Sequence, residues 1–170
     1  IDKQIYSYEL TPIGEETAIN GFGREIREEF ELPGFITFTT FNIFLKYEVE
    51  RAKNSGRISS AGSLILSMSD EDRNRMGPGY RKLAGEIADF IKNATFSTDI
   101  LSFVNNNTYL IISPDSEPTR LQNLLENIRQ SVHKLLLSNL VGYSFNLVPK
   151  VVTISSDKNH SDLINQLITP

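Results

Sequence analysis

Apolar residues recur every three or four positions in several segments of the chain, which is the spacing of amphipathic helices. The pattern predicts helices over residues 12–30 (interrupted near Gly21 and Gly23), 39–52, 80–94, 119–137 and 161–168. Thr39 and Ser161 are the predicted N-caps of the second and the last of these helices, because a hydroxyl in that position accepts a hydrogen bond from the first turn.

Short apolar runs predict the strands. Residues 63–68 form the first strand after a loop rich in serine and glycine, 53–62, and residues 151–154 form the last. Between them, the runs 100–104 and 109–112 flank asparagines that tolerate positive φ, which predicts a β-hairpin. The order of these elements predicts an α/β fold, specifically an α+β sandwich of helices around one central sheet.

Composition narrows the classes of function. With 170 residues, of which 39% are hydrophobic, the chain is long enough for one globular domain with its own core. A net charge of −4 without clustered Lys or Arg predicts no binding to nucleic acid. The absence of cysteine excludes disulfides and is compatible with the expected cytoplasmic location. No apolar run is long enough to predict membrane insertion, and a first residue other than Met predicts that the chain is a piece of a longer protein.

Short motifs follow one another in a consistent order over residues 30–168. They are residues 32–35 before the second helix, 48–52 at its end, 63–69 in a strand, Pro114-Asp115 after the hairpin and 152–155 in a late strand. This order and spacing resemble the GGDEF domains of diguanylate cyclases. The resemblance implies a palm-like fold related to nucleotidyl cyclases, with a central mixed sheet, over residues 31–170, and a connector helix over residues 1–30.

The resemblance also implies where catalytic groups would lie, and those positions carry neutral side chains. An active diguanylate cyclase holds Mg²⁺ with two carboxylates, and the alignment places Ser67 and Thr108 there. Asn105 and Asn106 stand in place of the signature glycine pair, and Asn107 replaces the first acid of the hairpin. We therefore predict no catalytic residue, no metal site and no cofactor.

The product-feedback site of that family is similarly incomplete. It uses an Arg-x-x-Asp motif just before the hairpin, and the corresponding residues here are 96–99. Asp99 is retained, but Phe96 stands in place of the arginine that would bind phosphate.

Two functions are compatible with these observations. The first is a catalytically inactive regulatory or protein-interaction domain in bacterial signalling. Its partner would be another protein, a neighbouring domain or a second copy of the chain, bound through the apolar face of Phe22, Ile26 and Phe30. The alternative is a module that senses cyclic di-GMP, GTP or ATP without turnover, for which the candidate ligands are Asn105, Asn106, Asn107 and Lys82.

Three local patterns allow two interpretations each. The hairpin asparagines could line a pocket, but turn conformation is the favoured explanation. Residues 70–72, all acidic, could bind a cation, but the start of a solvated helix is favoured. The phenylalanines that recur every third residue from Phe35 to Phe44 could bind a partner, but a face packed on the core is favoured.

Overall fold

The computed structural model describes residues 31–137 and 142–169, and the predicted partner face of Phe22, Ile26 and Phe30 lies outside them. Helices and strands alternate along the described chain. They are α1 Phe38–Ser55, β1 Ser59–Met68, α2 Asp70–Met76, α3 Pro78–Ala94, β2 Ile100–Val104, β3 Thr108–Ser113, α4 Pro118–Leu137, β4 Phe145–Ile154 and α5 His160–Ile168.

The strands form one sheet in the order β2-β3-β1-β4, with helices packed on both faces. All three ladders are antiparallel, and parallel pairing among the described residues is limited to the bridge between Ile36 and Ser102. The predicted sandwich around one sheet is confirmed, but the strands of that sheet pair antiparallel and do not form the mixed sheet that the resemblance implied. None of the helices among the described residues has the length and apolarity of a membrane span.

Two apolar cores lie on opposite faces of the sheet. Alternate residues of β1 divide between them: Leu64 and Leu66 pack under α3 and α4, and Ala61 packs under α1 and α5. The core interpretation of the phenylalanine stripe is confirmed for Phe41, which is fully buried, and is wrong for Phe44, which is 41% exposed. The reason is that only one side of α1 faces the sheet.

Several predicted boundaries were wrong. The stretch from Ser59 to Gly62 was predicted as loop but belongs to β1. The favoured interpretation of residues 70–72 as a helix start is confirmed, because they form the first turn of α2. Thr37 caps α1 in place of Thr39, and Asn159 caps α5 in place of Ser161. Both caps lie two residues earlier because the helices extend further towards the N-terminus than their apolar faces do.

Candidate functional site

The hairpin between β2 and β3 ends in a tight turn made by its asparagines. Asn105 and Asn106 both have a φ of 56°, and the Asn107 N–H donates to the Val104 carbonyl at 3.3 Å. Asparagine is among the few non-glycine residues that adopt this left-handed conformation. The turn interpretation is therefore confirmed, and it explains how asparagines can stand in place of a glycine pair.

The turn is fixed against the C-terminal end of β1. The Leu66 N–H donates to the Asn107 carbonyl at 2.8 Å, and the Tyr80 hydroxyl of α3 donates to the Asn106 carbonyl at 2.7 Å. These bonds place the hairpin tip beside Ser67, as the resemblance implies. The carboxyl end of β1 and the hairpin tip thus form one site.

The two predicted metal-ligand positions differ in their surroundings. Ser67 is exposed at the end of β1, whereas Thr108 is 2% exposed and lies opposite Ile65. The Thr108 hydroxyl donates to Asn107 Oδ1 at 2.9 Å. The structure therefore brings the two positions to one end of the sheet, but both offer neutral oxygens and one of these oxygens is buried.

Arg73, which no sequence motif singled out, also lies at this site. A cavity of about 150 Å³ at the end of β1 is lined by Arg73 together with Ser67 and Asn107. Helix α2 positions the arginine, and this helix begins at the N-cap Ser69, whose hydroxyl accepts from the Asp72 N–H at 3.0 Å. The run of acids and bases after a strand was the available signal, but it predicted only a solvated helix start.

The other predicted ligand residues lie away from the cavity. The Lys82 side chain is 81% exposed, and its amine lies 3.9 Å from Glu86. Asp72 binds Arg75 at 2.6 Å and accepts from the Ser144 N–H at 3.3 Å, so this carboxylate is engaged within the protein. The part of the chain that the structure describes contains no group of three His, Cys, Asp or Glu residues able to hold a metal.

Asp99 lies beside an arginine of helix α4, although residues 96–99 contain no arginine of their own. Arg120 Nη2 lies 3.7 Å from Asp99 Oδ2, and Arg120 Nη1 donates to Ser116 Oγ at 3.0 Å. The Phe96 ring covers the guanidinium at 4.1 Å and is itself 61% exposed. The Asp99 side chain is almost completely buried and also accepts from the Phe96 N–H at 2.8 Å, so it orients the arginine and the aromatic ring together. Sequence spacing could not reveal Arg120, which lies 21 residues after Asp99.

Tyr109 lies directly behind the hairpin tip. Its hydroxyl donates to the Ala84 carbonyl at 2.9 Å, and burial, with a smaller contribution from Tyr80, raises the pKa of Tyr109 well above the ordinary 10.0. The folded protein therefore favours the neutral phenol. The contribution of this phenol to folding stability is fully present below about pH 10. It is lost as the pH rises further, because Tyr109 ionises readily only in the unfolded chain.

Tyr109→Phe is expected to lower the free energy of unfolding at neutral pH by about 1 kcal/mol, since one buried hydrogen bond is lost. The variant should also lose less stability than the parent protein between about pH 9 and pH 11. Urea unfolding across this range measures both effects, and Tyr47→Phe, at a side chain that is 67% exposed, is the matched control. Parallel pH profiles for parent and Tyr109→Phe would contradict the expectation.

Comparison with protein-family models finds no match, and comparison with curated proteins finds none either. Solved structures do match. The GGDEF domain of FimX from Pseudomonas aeruginosa has a TM-score of 0.66 at 14% identity, covering 78% of this chain and 84% of that one. The GGDEF domain of DgcB from Caulobacter crescentus, in complex with c-di-GMP, has a TM-score of 0.66 at 12% identity, covering 82% and 86%.

The diguanylate cyclase SiaD from Pseudomonas aeruginosa, in complex with its activator SiaC, has a TM-score of 0.68 at 18% identity. The match covers 81% of this chain but only 54% of SiaD. Together these similarities show that the chain has the fold of GGDEF domains, as its motifs predicted. Its structural neighbours include proteins of cyclic di-GMP signalling.

Proposed function

We propose that this domain is a regulatory module of cyclic di-GMP signalling that does not synthesise the nucleotide. The observation that carries the proposal is the chemistry at the end of β1. Ser67 and Thr108 offer neutral oxygens, the Thr108 hydroxyl is bonded to Asn107, and Arg73 adds a positive charge to the cavity beside them. A hard divalent cation binds more strongly to carboxylate oxygens than to neutral hydroxyls, and it is repelled by a guanidinium in the same cavity.

The purified chain is expected to produce no cyclic di-GMP from GTP in the presence of Mg²⁺ or Mn²⁺. Mass spectrometry of the reaction mixture measures the product, with the diguanylate cyclase SiaD as the positive control. Two results together would overturn the proposal. The amount of product would increase in proportion to the concentration of folded protein, and the synthetic activity would co-elute with the protein in size-exclusion chromatography.

A regulatory domain needs a partner that responds to it. We expect another protein or a neighbouring domain of a longer chain to fill this role, and SiaD offers a precedent because it was solved with its activator. The face of Phe22, Ile26 and Phe30 stays a prediction for this contact.

The geometry around Arg120 favours a second candidate function, the binding of cyclic di-GMP without turnover. A guanidinium is suited to phosphate oxygens and to the O6 and N7 atoms of guanine, and an exposed aromatic ring offers a stacking surface. Arg120 and Phe96 place both features side by side, and Asp99 fixes them. This arrangement favours Arg120 over Lys82 as the cation that would contact the nucleotide.

If the chain binds cyclic di-GMP, Arg120→Ala is expected to weaken the affinity at least tenfold, because a charge-assisted contact of about 1.5–3 kcal/mol is lost. Isothermal titration calorimetry measures the dissociation constant. Arg129→Ala is the matched control, since Arg129 lies on the same helix but is engaged by Glu126 at 2.6 Å. Equal affinity in both variants, or no binding by the parent chain, would exclude Arg120 as a nucleotide ligand.

A further inference from the structure

Helix α1 carries a second apolar face that is directed away from the sheet. This outer face consists of Ile43, Phe44 and Tyr47, whose side chains are between 41% and 67% exposed. The other large apolar side chains that are exposed among residues 31–137 and 142–169 are Ile58 and Phe96, and both lie in loops. A helix that packs one side on a core normally has a polar opposite side, so the outer face of α1 indicates that another element covers it.

The segment of the chain that leads into α1 is well placed to cover this face. Apolar spacing predicts a helix over residues 12–30, and only residues 31–37 separate it from α1. A connection of about 2–8 residues is typical of antiparallel helices that pack as a hairpin. The connection also contains a turn, in which the Phe35 N–H donates to the Leu32 carbonyl at 3.1 Å and Gly34 has a φ of 86°.

The apolar positions of the two segments match in spacing. Phe22, Ile26 and Phe30 repeat every four residues, and Ile43 and Tyr47 of the outer face are four residues apart as well. Residues at this spacing lie above one another on the same side of a helix. In an antiparallel hairpin, Ile26 can therefore lie opposite Ile43 while Phe22 lies opposite Tyr47.

The charges of the two segments are complementary. Residues 12–30 contain five Glu and two Arg, so the segment is acidic. Lys46 of α1 is exposed and takes part in none of the ion pairs formed among the described residues. Equivalent flanks of two helices meet in an antiparallel pair, and helical spacing places Glu25 on the flank that meets Lys46. The pairing therefore brings an acid to an unpaired cation.

We propose that residues 12–30 pack as a helix on the outer face of α1 of the same chain and form a helical hairpin with it. The contact covers two apolar faces at once, the outer face of α1 and the face of Phe22, Ile26 and Phe30. A protein partner that binds the latter face must then displace the segment from α1. The inference holds whether or not the domain synthesises or binds a nucleotide, so its test is independent of those proposals.

Disulfide cross-linking of the full chain tests the contact, because the sequence contains no cysteine. Ile26→Cys is combined with Ile43→Cys or with Tyr47→Cys, so that a shift of the pairing by one helical turn is still detected. Oxidation of the micromolar protein is expected to give a disulfide within a product of monomer size, identified by mass spectrometry of its non-reduced peptides. Ile26→Cys with Lys82→Cys is the matched control, since Lys82 is equally accessible to solvent but lies on α3, on the opposite face of the sheet. The control pair should react at least about tenfold more slowly.

A charge on the outer face gives a second test. In the background of Ile26→Cys and Tyr47→Cys, Phe44→Asp is expected to slow disulfide formation at least about tenfold, because the contact would bury an unpaired carboxylate. Ile58→Asp, at a loop residue of nearly equal exposure, should leave the rate unchanged.

Three results would overturn the proposal. Equal rates for the control pair and both α1 pairs would show that the segment has no preference for α1. Disulfide-linked dimers as the main product would assign the outer face to a second copy of the chain. A rate that does not respond to Phe44→Asp would show that the cysteines meet without the apolar contact.

Discussion

Gly62→Ala is expected to destabilise the domain by about 2 kcal/mol, which is typical of an added methyl in a packed core. A Cβ at this position would lie 2.9 Å from Leu125 Cδ1, 3.1 Å from Leu121 Cδ2 and 3.0 Å from the Lys150 carbonyl oxygen. The leucines of α4 could move slightly, but the carbonyl belongs to the backbone of β4, which is paired with β1 at this residue. The close approach of α4 to the sheet therefore depends on the missing side chain.

Urea unfolding followed by circular dichroism measures the change, and the slope m should stay constant because the surface exposed on unfolding is the same. Gly85→Ala is the matched control. A Cβ at Gly85 in α3 would meet nothing within 4 Å, so the same substitution should stabilise the protein by about 0.5–1 kcal/mol through helix propensity. Equal effects at the two glycines would show that α4 can retreat from the sheet without cost.

The sequence could not reveal β1 in full because its first half is built from small residues. Ser59, Ser60, Ala61 and Gly62 resemble a flexible loop in composition, yet all lie buried in the sheet. Small residues are needed where helices approach both faces closely, and the hydrogen bonds of the Ser59 and Ser63 hydroxyls are made to other elements of the fold. The Ser63 hydroxyl, for example, donates to the Leu167 carbonyl of α5 at 2.7 Å, 104 residues away.

The sequence motifs were recognisable because they mark contacts within the fold. The motif over residues 48–52 and the Pro114-Asp115 pair appear separately in the chain, and the structure joins them through Arg51 Nη1 and Asp115 Oδ2 at 2.9 Å. Burial opposes the charge on Arg51, but hydrogen bonds and charges from Asp115 and Glu48 outweigh it and raise the pKa of Arg51. A motif whose residues support one another in this way contributes to the fold independently of any catalytic role.

The spacing of apolar residues reveals a helix through the face that the helix buries. This spacing therefore gives the least information about helices and side chains that lie on the surface. Helix α2 buries none of its residues and gave no apolar pattern, so its acidic start was predicted but its extent and the position of Arg73 were not. Arg120 was missed for a related reason, since its relation to Asp99 depends on how α4 docks beside the hairpin. The fold was predictable from apolar spacing, whereas the candidate cations required the three-dimensional arrangement.

Thr108→Glu is expected to cost about 3 kcal/mol of stability at neutral pH, as is typical of an unpaired buried charge. The substitution places a carboxylate at one of the two positions where the resemblance implies a metal ligand. Thr108 is 2% exposed and pairs with Val104 on β2 and Ile65 on β1, both buried and apolar. A carboxylate in these surroundings loses its hydration and gains no cationic partner from its paired neighbours. Ser67→Asp should change the stability by less than about 0.5 kcal/mol, because Ser67 is exposed.

Thr108→Gln separates the effect of charge from that of size, since the amide has nearly the shape of the carboxylate. Burial should raise the pKa of the carboxyl that Thr108→Glu introduces, and a raised pKa in the folded state means that the lost stability returns as the pH falls. We expect the difference between Thr108→Glu and Thr108→Gln to be large at about pH 7 and to shrink towards about pH 4, as measured by urea unfolding. Equal stability of the two variants at neutral pH would show that the carboxylate reaches solvent, and position 108 could then hold a metal after all. If the charge penalty is found, the neutral side chain at position 108 suits the packing of the sheet beneath it, and Ser67→Asp combined with Thr108→Glu should still yield no cyclic di-GMP.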